Sequence, residues 1–368
     1  MLSRNRCLYL YCKLSKKGFF NLPVGVISLL LGHHLNSIQE SFQCIKHKHP
    51  DSGGSSLGNN YIRPTADLHI IVPVYDGEKT IKRCLTSILN QKTKYKFVVD
   101  VINDGSTDDT QSIISKFRNP ALNIISEENR GLSGARNTGL RKIKGKYILF
   151  VDADDVLRKG AVQNLLDNAY KFNADIVEGG YRIIKKGKVV KTFSHLDNSD
   201  ANPFKELYGY PRGKLYKASL FKNVIFPEGY RYEDTVAMYR IWPYSNKTVT
   251  INNINYDYEK NENGITSVSR GNIKSIDTLW ITIKLLSECE KSVLSRTLYD
   301  FTLKQIIMNA KRLNFLSNKV NKANFVISSQ LINIYFNKFR TTDPKLISVE
   351  NALRKKDYIT FILSAYIY

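Results

Sequence analysis

The sequence predicts a doubly wound, mostly parallel α/β sheet followed by a helical region. Four short apolar runs, starting at Leu68, Phe97, Leu122 and Tyr147, alternate with segments of helical spacing over about 85 residues. The polar ends of three runs, Tyr75-Asp76, Asn103-Asp104-Gly105 and Asp152-Ala153-Asp154, would share one crevice, because open α/β sheets bind ligands beyond the carboxyl ends of their strands. From Ile273 onward, apolar residues recur at helical spacing alone.

Residues 1–66 lack a clear period and pass into a Gly-, Ser- and Asn-rich stretch at 51–60, which reads as a basic extension and flexible linker. The folded domain is expected over 67–270. Strand His69–Val74 leads through an Asp76-Gly77 turn to a helix carrying Ile81, Cys84, Leu85, Ile88 and Leu89. Strand Phe97–Ile102 ends at Asn103-Asp104-Gly105, where Ser106 and Asp109 have the spacing of a capping box for a helix through Phe117. A third strand covers Leu122–Ser126, a loop and helix 131–144, and the fourth strand Tyr147–Val151. Residues 161–270 show little periodicity. Residues 271–368 read as helices, with Leu303, Ile306, Ile307 and Ala310 on one stripe, Lys304, Lys311 and Arg312 between them, and an apolar end from Tyr358 to Tyr368.

The net charge of +22, from 55 Lys+Arg against 33 Asp+Glu, favours a polyanionic partner, an anionic membrane face or a phosphorylated substrate. Five scattered cysteines without a C-x-x-C pair point to a reducing compartment. No run reaches the roughly 18–20 apolar residues of a membrane-spanning helix, and Phe19–Leu31 lacks a signal-peptide cleavage site. The basic amphipathic helices suit an anionic membrane surface, while the plainer reading packs their apolar stripe on the domain.

The run Tyr147-Ile148-Leu149-Phe150-Val151-Asp152-Ala153-Asp154-Asp155 is a buried strand opening onto carboxylates. Alternation sets Asp152 and Asp154 on one face and Asp155 on the other. Two converging carboxylates suit a hard divalent cation that completes its shell from water and substrate phosphates, although such residues also cap turns. Asp104 suits acceptance from a nucleobase N–H and Tyr75 suits stacking on the base, while a turn residue before Gly105 is the plainer role of Asp104.

The blocks Val72-Pro73-Val74-Tyr75-Asp76, Asn103-Asp104-Gly105-Ser106-Thr107-Asp108, 128–139 (Glu-Asn-Arg-Gly-Leu-Ser-Gly-Ala-Arg-Asn-Thr-Gly) and Val151–Asp155 together resemble family 2 glycosyltransferases of the GT-A fold. Gly213-Lys214-Leu215-Tyr216 and 226–234, ending in Glu233-Asp234, are similar to the family's acceptor-side segment. The resemblance implies that Pro73, Val74, Tyr75, Asp104, Arg136 and Asp152 contact the nucleotide. It implies that Asp152 and Asp154 hold Mg2+ or Mn2+ on the pyrophosphate, and that Asp234 is the catalytic base with Glu233 beside it. Without that resemblance, Glu233 and Asp234 would read as caps of a helix Thr235–Trp242. The implied reaction is inverting transfer from a nucleotide sugar, taken as UDP-linked, to a hydroxyl of a surface polysaccharide or glycolipid, in the cytoplasm or at the inner membrane face. Three departures stand out. Asp76 replaces a common Asn, Asn103 replaces a common first Asp, and Glu259-Lys260 and Gly264-Ile265 stand where an Arg and a Ser-Ile pair are expected. The Q-x-x-R-W pattern of processive synthases is missing.

Two rival classes fare worse. A sugar nucleotidyltransferase would carry a Gly-rich basic loop after the first strand, where this chain has Tyr75-Asp76-Gly77-Glu78. A nucleic-acid binder would explain the charge but leave Asp104, Asp152, Asp154 and Asp234 without a role.

Overall fold

A computed structural model describes residues 37–48, 54–261 and 271–368. The apolar run Phe19–Leu31, Cys7 and Cys12, and the Gly264-Ile265 departure lie outside them. The chain divides into two compact units. One comprises Gly53–Gly229 and Glu233–Gly264; the other comprises Met1–Ser52, Tyr230–Tyr232 and Ile265–Tyr368.

The first unit is built on a nine-stranded sheet. Strands β1 (Tyr61–Val74), β2 (Phe97–Asp104), β3 (Leu122–Glu127) and β4 (Lys142–Phe150) pair in parallel in the order β3-β2-β1-β4. β1 begins at Tyr61, ahead of residue 67. In these strands alternate residues face opposite layers. Leu68, Ile70, Val72 and Val74 pack with Ile81, Cys84, Leu85 and Ile88 of helix Ile81–Leu89 and with Leu165 and Leu166 of helix Ala161–Phe172. Ile71 points the other way, against helix Gly131–Leu140, where a Cβ on Gly139 would come within 2.6 Å of the Ile71 side chain. Only glycine lets that helix sit so close to the sheet.

The second half of the sheet is mixed. β8 (Lys214–Lys217) runs antiparallel to β4 and to β6 (Ile176–Lys185), and β9 (Thr248–Glu259) runs parallel to β6. β5 (Val156–Leu157) closes the edge against β9, and β7 (Lys188–Phe193) forms a hairpin with β6. The all-parallel, doubly wound part therefore ends at β4, and the sparsely periodic segment supplies the mixed remainder.

The helical unit contains helices Ile38–Lys48, Asp277–Ser287, Arg296–Leu313, Asn318–Phe336, Pro344–Arg354 and Tyr358–Ile367. The first of these corrects the expectation of an aperiodic extension. Its start is a capping box: Ser37 N–H donates to Glu40 Oε2 at 2.8 Å and Glu40 N–H donates to Ser37 Oγ at 3.2 Å. Leu303, Ile306, Ile307 and Ala310 are buried, as are Phe361, Ile362, Leu363 and Ala365 of the last helix. The stripe offered to a membrane is thus the unit's own core. Buried Glu350 anchors the C-terminal helices, accepting from Tyr299 Oη at 2.7 Å and pairing with Arg354 at 3.1 Å. Among the described residues, no helix is long and apolar enough to cross a membrane.

Candidate active site

The carboxyl ends of β1, β2 and β4 meet as the register requires, Val74 opposite Asn103 and Ile71 opposite Phe150. The loop after β1 is stitched to the loop after β2. Asp76 N–H donates to Ser106 Oγ at 3.0 Å, Thr107 N–H donates to Asp76 Oδ1 at 2.8 Å, and Gly77 N–H donates to Thr110 Oγ1 at 2.8 Å. Asp76 takes φ +46, a left-handed conformation that Asp and Asn tolerate best, which explains why either residue serves there. The expected Ser106–Asp109 capping box does not form. Ser106 is committed to Asp76, and the short helix Thr110–Ile114 begins where Thr110 N–H donates to Asp108 Oδ1 at 2.9 Å.

Asp104 is buried, and its Oδ1 accepts from Arg130 N–H at 2.7 Å. Burial pushes its carboxyl above the ordinary range. Gly105 follows at φ +72, and a Cβ there would meet Asn129 N at 2.8 Å, so the turn both needs glycine and brings the 128–131 loop onto Asp104. Val74 is buried beside Pro73 at the end of β1, while Tyr75 is half exposed at 50%.

Beyond β4, Asp152 receives two cations: Arg136 Nη2 at 3.1 Å and Arg212 Nη1 at 3.8 Å. Arg136 is 2% exposed, and its other terminal nitrogen reaches Glu233 Oε1 at 3.0 Å and Asp234 Oδ1 at 3.2 Å. One guanidinium therefore holds three carboxylates, with its carbon 5.1 Å from the Phe226 ring centre. Burial and the neighbouring Asp234 charge raise the Glu233 carboxyl to about 8. The residues of the expected helix Thr235–Trp242 form a shorter helix, Val236–Arg240, with a 3₁₀ turn Glu233–Thr235 before it.

The strand ends at Phe150 and the chain turns, Asp155 N–H donating to Asp152 O at 3.0 Å, so alternation no longer applies and Asp155 shares Arg212 with Asp152. Asp155 is fully buried, accepts from Tyr256 Oη at 2.7 Å and from Glu259 N–H at 2.8 Å, and faces Arg212 Nε at 3.4 Å. The Glu259 departure thus has a structural part, since its side chain also pairs with Arg83 at 3.2 Å.

Asp154 differs from its neighbours. Among the described residues no lysine or arginine is ion-paired with it, and burial plus the Asp152 charge raise its carboxyl to about 6. A carboxylate raised by burial and by a neighbouring carboxylate, with Arg212 and Arg83 offsetting only part of the effect, fits a divalent cation, and Mg2+-type sites commonly take only one or two carboxylates and the rest from substrate. No cluster of three or more His, Cys, Asp or Glu suited to a metal exists among the described residues, so any such ion depends on ligands from substrate and water. A raised carboxyl favours folding below its unfolded value and loses that contribution as pH rises through the folded one. Ionised Asp154 therefore costs stability above pH 6. Asp154→Asn should gain about 2 kcal/mol at pH 7.5 in EDTA, discounted for residual exposure, and almost nothing at pH 4. Urea unfolding at both pH values checks this; equal changes at both would remove the repulsion argument.

The glycosyl transferase family 2 profile matches residues 69–231, spanning β1 through the segment just before Glu233 and Asp234. The match covers 163 of the chain's 368 residues, so it is this stretch that is similar to glycosyl transferase family 2. It is 34% identical to the glycosyltransferase GlyA of Streptococcus pneumoniae over 54% of this chain and 31% of GlyA. It is 26% identical to the glycosyltransferase GlyG of the same organism over 60% of this chain and 80% of GlyG. The chain thus spans less than a third of the first relative's length. The crystal structure of Staphylococcus aureus TarS residues 1–349 superposes with a TM-score of 0.61 at 21% identity, over 80% of this chain and 89% of that one. At that identity the likeness establishes the GT-A fold and its added helical region.

Of the residues named from the sequence, Arg136, Asp152, Glu233 and Asp234 form one ion-paired group, with Asp154 beside Asp152. Pro73, Val74, Tyr75 and Asp104 lie at the ends of neighbouring strands. Sequence reading missed Arg212 and Tyr256, which brace Asp152 and Asp155. The one signal was the position of Arg212 directly before the Gly213-Lys214-Leu215-Tyr216 block.

Proposed function

We propose that the protein is an inverting glycosyltransferase that moves a hexosyl or N-acetylhexosaminyl group from a UDP-sugar to a hydroxyl of a saccharide or lipid-linked saccharide acceptor. The Arg136 clamp carries this reading. A single guanidinium contacts Asp152, on the side proposed for the leaving group, and Asp234, proposed as base, so both fall within the span of one side chain. A TarS structure contains UDP-GlcNAc, which favours a UDP-linked donor.

In this reading the exposed ring of Tyr75 stacks on the base, and Asp104 uses its second oxygen to accept a nucleobase N–H. Pro73 and Val74 form the floor. Arg136 and Asp152 border the diphosphate. Asp152 and Asp154 would hold Mg2+ or Mn2+, whose Lewis acidity neutralises charge on the departing diphosphate. Asp234 accepts the proton of the acceptor hydroxyl as it attacks the anomeric carbon, and Glu233 orients the acceptor. Attack from the face opposite the leaving group inverts the anomeric centre. The unit boundaries proposed are a nucleotide-sugar half over 67–160 and an acceptor half over 161–270. A nucleotide-sugar donor implies a cytoplasmic reaction, at the inner membrane face where the acceptor is lipid-linked.

Hydrolysis and binding of UDP-, GDP- and TDP-sugars with Mn2+ or EDTA test the reading. One donor should turn over with metal, and the Asp152→Ala/Asp154→Ala protein should lose that turnover. Failure of every donor to bind in a metal-dependent way would sink the proposal.

A further inference from the structure

We propose that the hairpin of β6 and β7 docks on an anionic lipid bilayer, with its tip in the headgroup layer; this deepens the transferase reading and rests on it for its purpose. From Gly179 to Leu196 the sequence holds four lysines, one arginine and no Asp or Glu. The turn residues Lys186 and Gly187 have φ +50 and +73, both left-handed, as a tight two-residue hairpin turn requires. Lys185 and Lys188 face each other across that turn, and Lys191 stands opposite Ile183. Val189 pairs with Ile184, so Val190 bulges out of the ladder, and the two valines are 48% and 55% exposed. The base of the hairpin is held to the sheet. The Tyr181 ring stacks on Phe193 at 4.7 Å, and Arg182 makes two bonds of 2.7 Å to Asp257. Glu259, opposite Ile184 on β9, pairs with Arg83 at 3.2 Å. Lys186, Lys188 and Lys191 are exposed, and among the described residues no acid pairs with them.

The topology aims the tip. β8 is antiparallel to both β4 and β6, so β6 runs in the direction of β4, and its carboxyl end lies on the edge of the sheet from which Asp104 and Asp152 emerge. Val177 stands level with Leu149, both being paired with Leu215. β4 ends one residue later at Phe150, whereas β6 continues to Lys185, roughly 20 Å farther along the strand direction. A bilayer seated on the tip therefore lies on the side of the sheet that carries the candidate site.

Lysines also guard an edge strand against pairing with another chain, and that alone would account for Lys188 and Lys191. Exposed valines defeat that purpose. A bilayer interface uses both residue types, since the ammonium heads meet lipid phosphates while the lysine stems and the valines bury at the acyl boundary. A soluble polyphosphate or a nucleic acid would use the lysines alone.

Flotation of the full chain with vesicles at low salt provides the test, using phosphatidylcholine alone and phosphatidylcholine mixed equally with phosphatidylglycerol. The chain should float with the anionic vesicles only. Lys186→Ser/Lys188→Ser/Lys191→Ser should weaken that binding about 100-fold, at roughly fivefold for each lysine near an anionic surface. Val189→Ser/Val190→Ser should weaken it about fivefold or more and leave binding of soluble polyphosphate unchanged. Lys319→Ser/Lys338→Ser/Lys345→Ser removes as much charge from exposed positions of the helical unit, and should change vesicle binding by no more than about twofold. All these positions are on the surface, and thermal unfolding reports that each protein is folded. No binding to anionic vesicles, an equal loss in the helical-unit variant, or unchanged binding by the valine variant would overturn the assignment, the last in favour of a soluble polyanion. Failure of every nucleotide sugar to bind would instead count against the transferase reading, and the vesicle results would still decide the hairpin.

Discussion

Asp234→Asn should lower sugar transfer by about 10²- to 10⁴-fold, the range of a lost general base, with metal-dependent donor binding retained. The substitution is chosen because the amide oxygen can still accept from Arg136, which now sits 3.2 Å from Oδ1, so the clamp keeps a partner at this position. The lost property is the charge that draws the acceptor proton. A second readout follows from the pair. Asp234 is one of the causes of the high proton affinity of Glu233, so neutralising it should move the Glu233 carboxyl down from about 8 toward its ordinary range. Glu233→Gln should act more mildly, because it removes a group placed here beside the acceptor rather than at the proton. Steady-state kinetics with saturating donor distinguish these cases. A fully active Asp234→Asn protein would assign proton removal to another group, with Glu233 the next to test.

The parallel half of the sheet was legible because its information is local. Val72 to Val74 and Phe97 to Ile102 are apolar runs bounded by Asp76-Gly77 and Asn103-Asp104-Gly105, and such runs need no distant partner to be read as strands. The mixed half was not legible. β9 carries Asn252, Asn253 and Asn255, and it becomes a strand by pairing with β6, about 70 residues away. Local signals also misled. Ser106 and Asp109 have capping spacing, yet the loop from β1 claims Ser106, while the genuine box at Ser37 and Glu40 lay in a stretch that seemed aperiodic. At the site, the motif blocks marked Arg136, Asp152 and Asp234 as residues but not as partners. Arg136 finds Glu233 and Asp234 at separations of 97 and 98 residues, and no spacing rule reaches that far. Arg212 was invisible for the same reason, since its meaning comes from the two carboxylates and two tyrosines that packing brings to it.

Arg136→Met should destabilise the protein by about 3–5 kcal/mol at pH 8, because removing one partner of a buried ion pair leaves the others uncompensated. Methionine fills much of the arginine stem's volume beside Phe226, so lost packing is the smaller part of the change. Three carboxylates, Asp152, Glu233 and Asp234, then face one another without the cation that separates them. Their proton affinities rise, and the direction of the pH effect follows. Groups with raised folded-state values are fully favourable below their unfolded values near pH 4 and lose that contribution as pH rises through the folded values. The penalty should therefore be much smaller at pH 5 than at pH 8. Arg136→Lys should recover only part of the loss, since a single ammonium cannot span Asp152 on one side and Glu233 with Asp234 on the other. Adding Glu233→Gln to Arg136→Met should recover more at pH 8, because the carboxyl whose raised proton affinity costs stability there is gone. Urea unfolding at the two pH values measures all four proteins. A penalty independent of pH would mean that Arg136 acts by volume alone, and the electrostatic link between the proposed leaving-group side and the proposed base would fall with it.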